Sequence, residues 1–219
     1  MALNKLKYNS LNLTPAANKA IGFDSDADAL EATLGAGAMT FIKKLTASSS
    51  SDLSFVNGAS DVVLDSTYKE YIFFFKNLHL SSNTGSIFFN GSIDGGSNYN
   101  VTKTTTNFEA NHNEGDSATA LTYKSARDLA QSTSDQIISN EPGNDNDQGM
   151  SGYMHLFNPS STTFVKHFLI RQNSTYKADY TVDVYIAGYF NTTSAIDAIT
   201  FKPDSGTIDA GDICLYGIN

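Results

Sequence analysis

The sequence predicts an all-β protein, a jelly-roll-like antiparallel β-sandwich preceded by an extended N-terminal arm. Three observations carry this. Aromatic residues make up 11% of the 219 residues and charged ones only 17%, with Ser, Thr, Asn and Gly filling the surface, a mix that suits short strands and turns. From Met39 onward, apolar and polar residues alternate in runs bounded by turn-forming clusters. The last third holds several such runs with no helical segment between them, which implies antiparallel connections.

Residues 1–37 read differently from the rest. Small and polar residues dominate, Pro15 interrupts, and DSDADALEATLGAGA keeps neither a period of 2 nor one of 3.6. A short helix over Ala27 to Thr33, capped by Ser25 or Asp26, is the alternative to an extended arm there. The arm is favoured, because such a segment buries too little surface to order alone and is expected to order on a partner or a neighbouring subunit. Residues 38–219 form the sandwich domain, which is long enough to bury a sizeable core.

Taken in order, MTFIKKLTA and DLSFVNG read as strands, with Asn57-Gly58 as a turn. Asp61 to Leu64 reads as a brief strand. The stretch from Asp65 to Tyr99 reads as the central hairpin, pairing YKEYIFFFKNL with SIFFNGSI. In its first strand Tyr71, Phe73 and Phe75 share one face and Ile72, Phe74 and Lys76 the other, so both faces are largely apolar and a central position follows. Val101 to Asn113 reads as a polar strand and loop. Leu121 to Asn140 reads as an irregular excursion, with a short helix or two weak strands as alternatives, and EPGNDNDQG as a loop. SGYMHLFNP, TTFVKHFLIRQN, YTVDVYIAGYFN and AITFKPDSGTIDAGDICLYGIN supply the remaining strands.

The net charge of −9 disfavours nucleic acid and anionic membranes as partners, since both select clustered Lys and Arg. No apolar run is long enough to span a bilayer, and MALNKLKYNS lacks the apolar core of a signal peptide, so synthesis in a cytoplasm without export is expected. The single cysteine, Cys214, sits in an apolar run and reads as a buried hydrophobe.

Chemistry is sparse. His79, His112, His155 and His167 are scattered, and none accompanies a nucleophile in a Gly-rich elbow, so no catalytic residue is assigned and an enzyme is not expected. Neither zinc spacing nor a phosphate-cradling loop is present, and no cofactor is implied. Asp145 and Asp147, within NDND before Gly149, are weak calcium candidates, though the full loop spacing of a calcium site is missing. Exposed tyrosines and asparagines would suit sugars, but the chain has no Trp. Tyr153, Tyr176, Tyr185 and Tyr189 read equally well as core edges or interface residues. Ser92, Asp94, Gly96 and Tyr99 have the S-x-D-x-G-x-x-aromatic spacing of an Asp-box, a carboxylate-clamped turn expected to be structural.

Three pieces carry a resemblance: the opening LKYNSLNLTPAANKAIGFDSDADALEA, the YKEYIFFFKNL…SIFFNGSIDGGSNY stretch, and the ending SGTIDAGDICLYGIN. Together they resemble structural proteins of tailed bacteriophages, in which a short arm precedes a jelly-roll-like sandwich ending in S-G-x-I-x-x-G-x-I-x-L-Y-G-I. The matching positions are Ser205, Gly206, Ile208, Gly211, Ile213, Leu215, Tyr216, Gly217 and Ile218. The resemblance implies a virion component, a capsid decoration or cement protein, assembled as a homotrimer and bound to the major capsid protein or another virion protein. The alternative it leaves is a tail or fibre module that binds a host glycan or protein.

Overall fold

A computed structural model describes residues 20–23, 30–33 and 38–218. The chain divides into two compact units, Met1–Ala38 and Met39–Asn219. In the first, strands β1 (Ala20–Phe23) and β2 (Leu30–Thr33) pair antiparallel, Ala20 opposite Thr33 and Phe23 opposite Leu30. Leu30 to Thr33 is therefore strand, not the end of a helix. The remainder of the expected arm, and residues 27–29 of the alternative helix, lie outside the described residues.

The second unit is an all-β sandwich of two antiparallel sheets, with no helix among the described residues. Its strands are β3 (Met39–Thr46), β4 (Leu53–Val56), β5 (Glu70–Leu80), β6 (Ile87–Ser92), β7 (Lys103–Asn113), β8 (Thr119–Tyr123), β9 (Gln136–Ser139), β10 (Met150–Phe157), β11 (Lys166–Tyr176), β12 (Tyr180–Phe190), β13 (Ala198–Pro203) and β14 (Ile208–Ile218). The large sheet runs β3-β14-β5-β10-β11-β12-β7-β8 and the small one β4-β13-β6-β9.

The core lies between the sheets and is built on rings. Tyr71, Phe73 and Phe75 of β5 point inward, as their alternation requires. Phe201 of β13 meets Phe73 at 5.5 Å and Phe75 at 5.2 Å, and Phe89 of β6 meets Phe168 of β11 at 5.1 Å. These edge-to-face contacts suit the ring quadrupoles and lock the two layers in register.

Several local expectations change. β5 and β6 are not a hairpin, because β5 bonds to β14 and β10 while β6 bonds to β13 and β9 in the other sheet. The chain arches from one layer to the other between them. Both strands send aromatic residues into the same core, so each gains more by facing the other across the interior than by lying beside it. Asp61 to Leu64 is not a strand; Gly58 N–H donates to the Val62 carbonyl, and Val62 and Leu64 simply drop into the core. Val101 to Asn113 contains the full strand β7, whose Thr and Asn residues alternate between interior and surface. The excursion from Leu121 to Asn140 holds the end of β8, a connecting segment and β9.

Two lysines complete the interior. Lys166 on β11 and Lys103 on β7 both pair with Phe190 of β12, and neither side chain reaches solvent. Lys103 Nζ donates to the carbonyls of Val101 (3.0 Å) and Ser134 (2.7 Å), and Lys166 Nζ to those of Thr192 (3.1 Å) and Ser194 (2.5 Å). Each ammonium thereby fastens a loop to the sheet through backbone oxygens, much as a small cation would.

Candidate functional site

The Asp-box residues form one closed turn. Ser92 Oγ donates to Asp94 Oδ1 (2.7 Å) and accepts from the N–H groups of Asp94 (3.1 Å) and Gly96 (3.0 Å). Asp94 also accepts from the Asn98 backbone (2.9 Å) and side chain (2.7 Å). Those donors, led by Asn98 and Ser92, hold its carboxyl below the usual carboxylate range. Gly96 has φ +80°, and the Tyr99 hydroxyl lies 2.8 Å from where a Cβ would sit, so glycine is required there. The Asp197 carboxylate takes the Gly95 N–H at 3.0 Å. This turn carries the chain from the small sheet to the large one, and Asp94 is fully occupied in holding it.

Asp145 and Asp147 lie in the loop between β9 and β10. Asp147 lines a cleft of about 660 Å³ with His79 and Asp209. His79 Nδ1 meets Asp209 Oδ1 at 2.8 Å, and His79 Nε2 meets the Asp145 carbonyl at 3.1 Å. Both partners accept, so the doubly protonated ring satisfies both at once. Burial opposes that charge, but the bonds to Asp209 and to the loop carbonyls outweigh it and raise the pKa above its ordinary value. No group of three or more His, Cys, Asp or Glu is gathered for a metal among the described residues. The His79 ring ties this loop to β5.

The surface that stands out is the outer face of the large sheet, the one turned away from the small sheet. Strand register places Cys214, Phe74, Tyr153, Arg171, Tyr185, Phe108 and Tyr123 side by side across seven strands. The neighbouring row runs Phe41, Tyr216, Ile72, His155, Leu169, Ala187 and Thr106.

Rings contact one another along both rows. Phe108 stacks on Tyr185 at 4.9 Å, and the Arg171 guanidinium lies over the other flank of Tyr185 at 4.8 Å. Phe74 meets Tyr216 at 5.7 Å and Tyr216 meets Phe41 at 5.4 Å. Phe41, Tyr123, Leu169 and Phe108 keep 54%, 52%, 49% and 39% of their surface exposed. Ile72 and Cys214 belong to this face yet are covered by their neighbours.

Each carboxylate on the face meets a basic side chain, and Lys76, on the same face, makes no ion pair among the described residues. Arg171 bonds Asp183 at 2.9 Å, Lys44 meets Asp212 at 3.4 Å, and His155 contacts Glu70. On a chain of net charge −9, this leaves a broad aromatic surface close to neutral.

Of the tyrosines singled out in the sequence, Tyr153, Tyr185 and Tyr189 stand on this face, while Tyr176 is packed against the core. Alternation alone could not reveal the rows, because it shows which residues share a strand face and not which strands lie side by side. Comparison with known protein families, curated proteins and solved structures finds no match to the chain.

Proposed function

We propose that this chain is a non-enzymatic structural protein whose outer sheet face packs against a second copy of itself, building a closed oligomer that decorates a virus particle. The observation that carries the reading is the neutral aromatic face. Exposed rings in contiguous rows mark interaction surfaces rather than scattered surface hydrophobes. A second copy is the occupant the charges favour. Copies of net charge −9 repel wherever their acidic surfaces meet, and a face whose carboxylates each meet a basic side chain lowers that penalty. Closed symmetry would also satisfy the edge groups of β3 and β8, the outermost strands of the large sheet.

The resemblance to tailed-phage structural proteins supplies the particle, and within it a capsid decoration or cement role with a trimeric oligomer. The N-terminal unit would then be the part that reaches the capsid subunits. The test is the copy number of this chain in purified particles of the virus that encodes it. Hundreds of copies on the head, located in a density map, are expected. Tens or fewer on the tail would replace decoration with the appendage role, and absence from the particle would overturn both.

A further inference from the structure

We infer that the sandwich carries a binding site for a carboxylate-bearing sugar, in a recess at the β7–β12 end of its interior, independent of the outer face. The recess holds about 400 Å³, the size of a small-ligand pocket, and is lined by Glu109, Asn111, Lys124, Arg127, Tyr176 and Tyr180 among others.

At its floor the Glu109 carboxylate, 6% exposed, is held by Lys124 Nζ at 2.6 Å and Arg127 Nη1 at 2.5 Å. Beside the recess Lys177 bonds Glu141 at 2.9 Å, and the Tyr176 hydroxyl, whose residue does line it, donates to the same carboxylate at 3.1 Å. Two cations, Lys124 and Arg127, thus line the recess against one carboxylate, a local surplus of positive charge on a chain of net −9. Asp128, next to Arg127, is turned to the Tyr123 hydroxyl at 2.6 Å and is not among the residues that line the recess.

The donors are not exhausted by these pairs. Arg127 uses one of its five N–H groups on Glu109, and Lys124 makes one carboxylate contact among those described. A ligand carboxylate can take the remaining donors. The Asn111 and Asn140 amides are placed for hydroxyls, and the Tyr176 and Tyr180 rings, 6.2 Å apart, give the apolar flank that a sugar ring packs on. A simple inorganic anion would leave the amides and rings unused.

The experiment titrates the intact chain with D-glucuronate and with N-acetylneuraminate, followed by amide chemical shifts, with D-glucose and acetate as controls. Saturable shifts at residues 109–111, 124–127, 140 and 176–180 are expected for at least one acidic sugar, half-saturating near about 1 mM, as the ligand's size allows. Added salt weakens them.

Lys124→Gln, on a lining side chain 25% exposed, should weaken binding several-fold, and the double variant Glu109→Gln/Arg127→Gln at least tenfold. Replacing both takes away the Arg127 donors without leaving the buried Glu109 carboxylate short of them, and Lys124, 25% exposed, stays solvated. No saturable shift at these residues with either acidic sugar overturns the site, as does unchanged affinity in a folded Lys124→Gln. Equal binding of acetate and the acidic sugars overturns the sugar class.

Discussion

Replacing Lys103 by Met tests how the interior is balanced. Lys103 is fully buried, bonded only to the carbonyls of Val101 and Ser134, and it makes no ion pair among the described residues. Burial depresses its pKa from the usual 10.5 to about 8. The unfolded chain therefore binds more protons than the folded one between about pH 8 and pH 10.5, so this group raises stability as pH climbs through that window. Below about pH 8 the full cost of the buried charge is present. At about 1.4 kcal/mol per tenfold in acidity, the gap between 10.5 and about 8 amounts to roughly 3 kcal/mol.

Lys103→Met removes that cost but leaves two carbonyls without a donor, at about 1–3 kcal/mol each. The two effects nearly offset at pH 7. At pH 10 the wild type has recovered most of its cost and the variant has nothing to recover, so the wild type gains about 2–3 kcal/mol on the variant. Urea unfolding followed by tyrosine fluorescence at pH 7 and pH 10 measures the difference, and every other titrating group cancels in the subtraction. A gap between the two proteins that stays constant with pH would refute the reasoning.

Other consequences are as direct. His79 has a pKa raised above 6.5, so its contribution to holding the Glu141–Gly149 loop is complete below that value and lost as pH rises through the folded pKa. Amide exchange in residues 144–148, corrected for intrinsic rate, should be faster at pH 8 than at pH 5.5 in the wild type. The same ratio in His79→Gln would count against this. Gln172 is buried with neither amide atom bonded, so Gln172→Met should raise stability by about 1–2 kcal/mol in urea unfolding; a loss would show an unseen partner. Phe201, fully buried among the rings of Phe55, Phe73, Phe75 and Phe89, should cost about 3–5 kcal/mol when changed to Ala, and under 1 kcal/mol would mean that this ring cluster does not join the sheets.

The sandwich class and most strands were legible because alternation is a local property, plain in KHFLIRQN and YTVDVYIAGYF. The Asp94 turn was legible for the same reason, its partners lying within six residues. Pairing was not. The Ile72–Phe75 and Ile87–Phe89 runs sit close together in sequence, as hairpin partners do, yet they belong to opposite sheets because their rings fill one core. The aromatic rows need strands as distant as β5, β10 and β14 to lie side by side, and no local pattern encodes that register. Lys103 and Lys166 fall in phase with the inward residues of their strands although their charge reads as surface, and the loop carbonyls that bond them make their burial tolerable. The recess is hidden from local pattern for a similar reason, since Glu109, Arg127 and Tyr176 lie in three separate segments.

The most direct test of the outer face is sedimentation equilibrium of the intact chain beside a variant carrying Phe108→Asp and Tyr153→Asp. Both side chains are on the outer surface and neither belongs to the buried core cluster, so thermal stability of the isolated sandwich should change little. We expect the wild type to sediment as a closed oligomer, a trimer under the decoration reading, and the variant as a 23.6 kDa monomer with its fold intact. A wild type that stays monomeric at high concentration, or a folded variant that keeps the wild-type mass, would contradict self-association through this face.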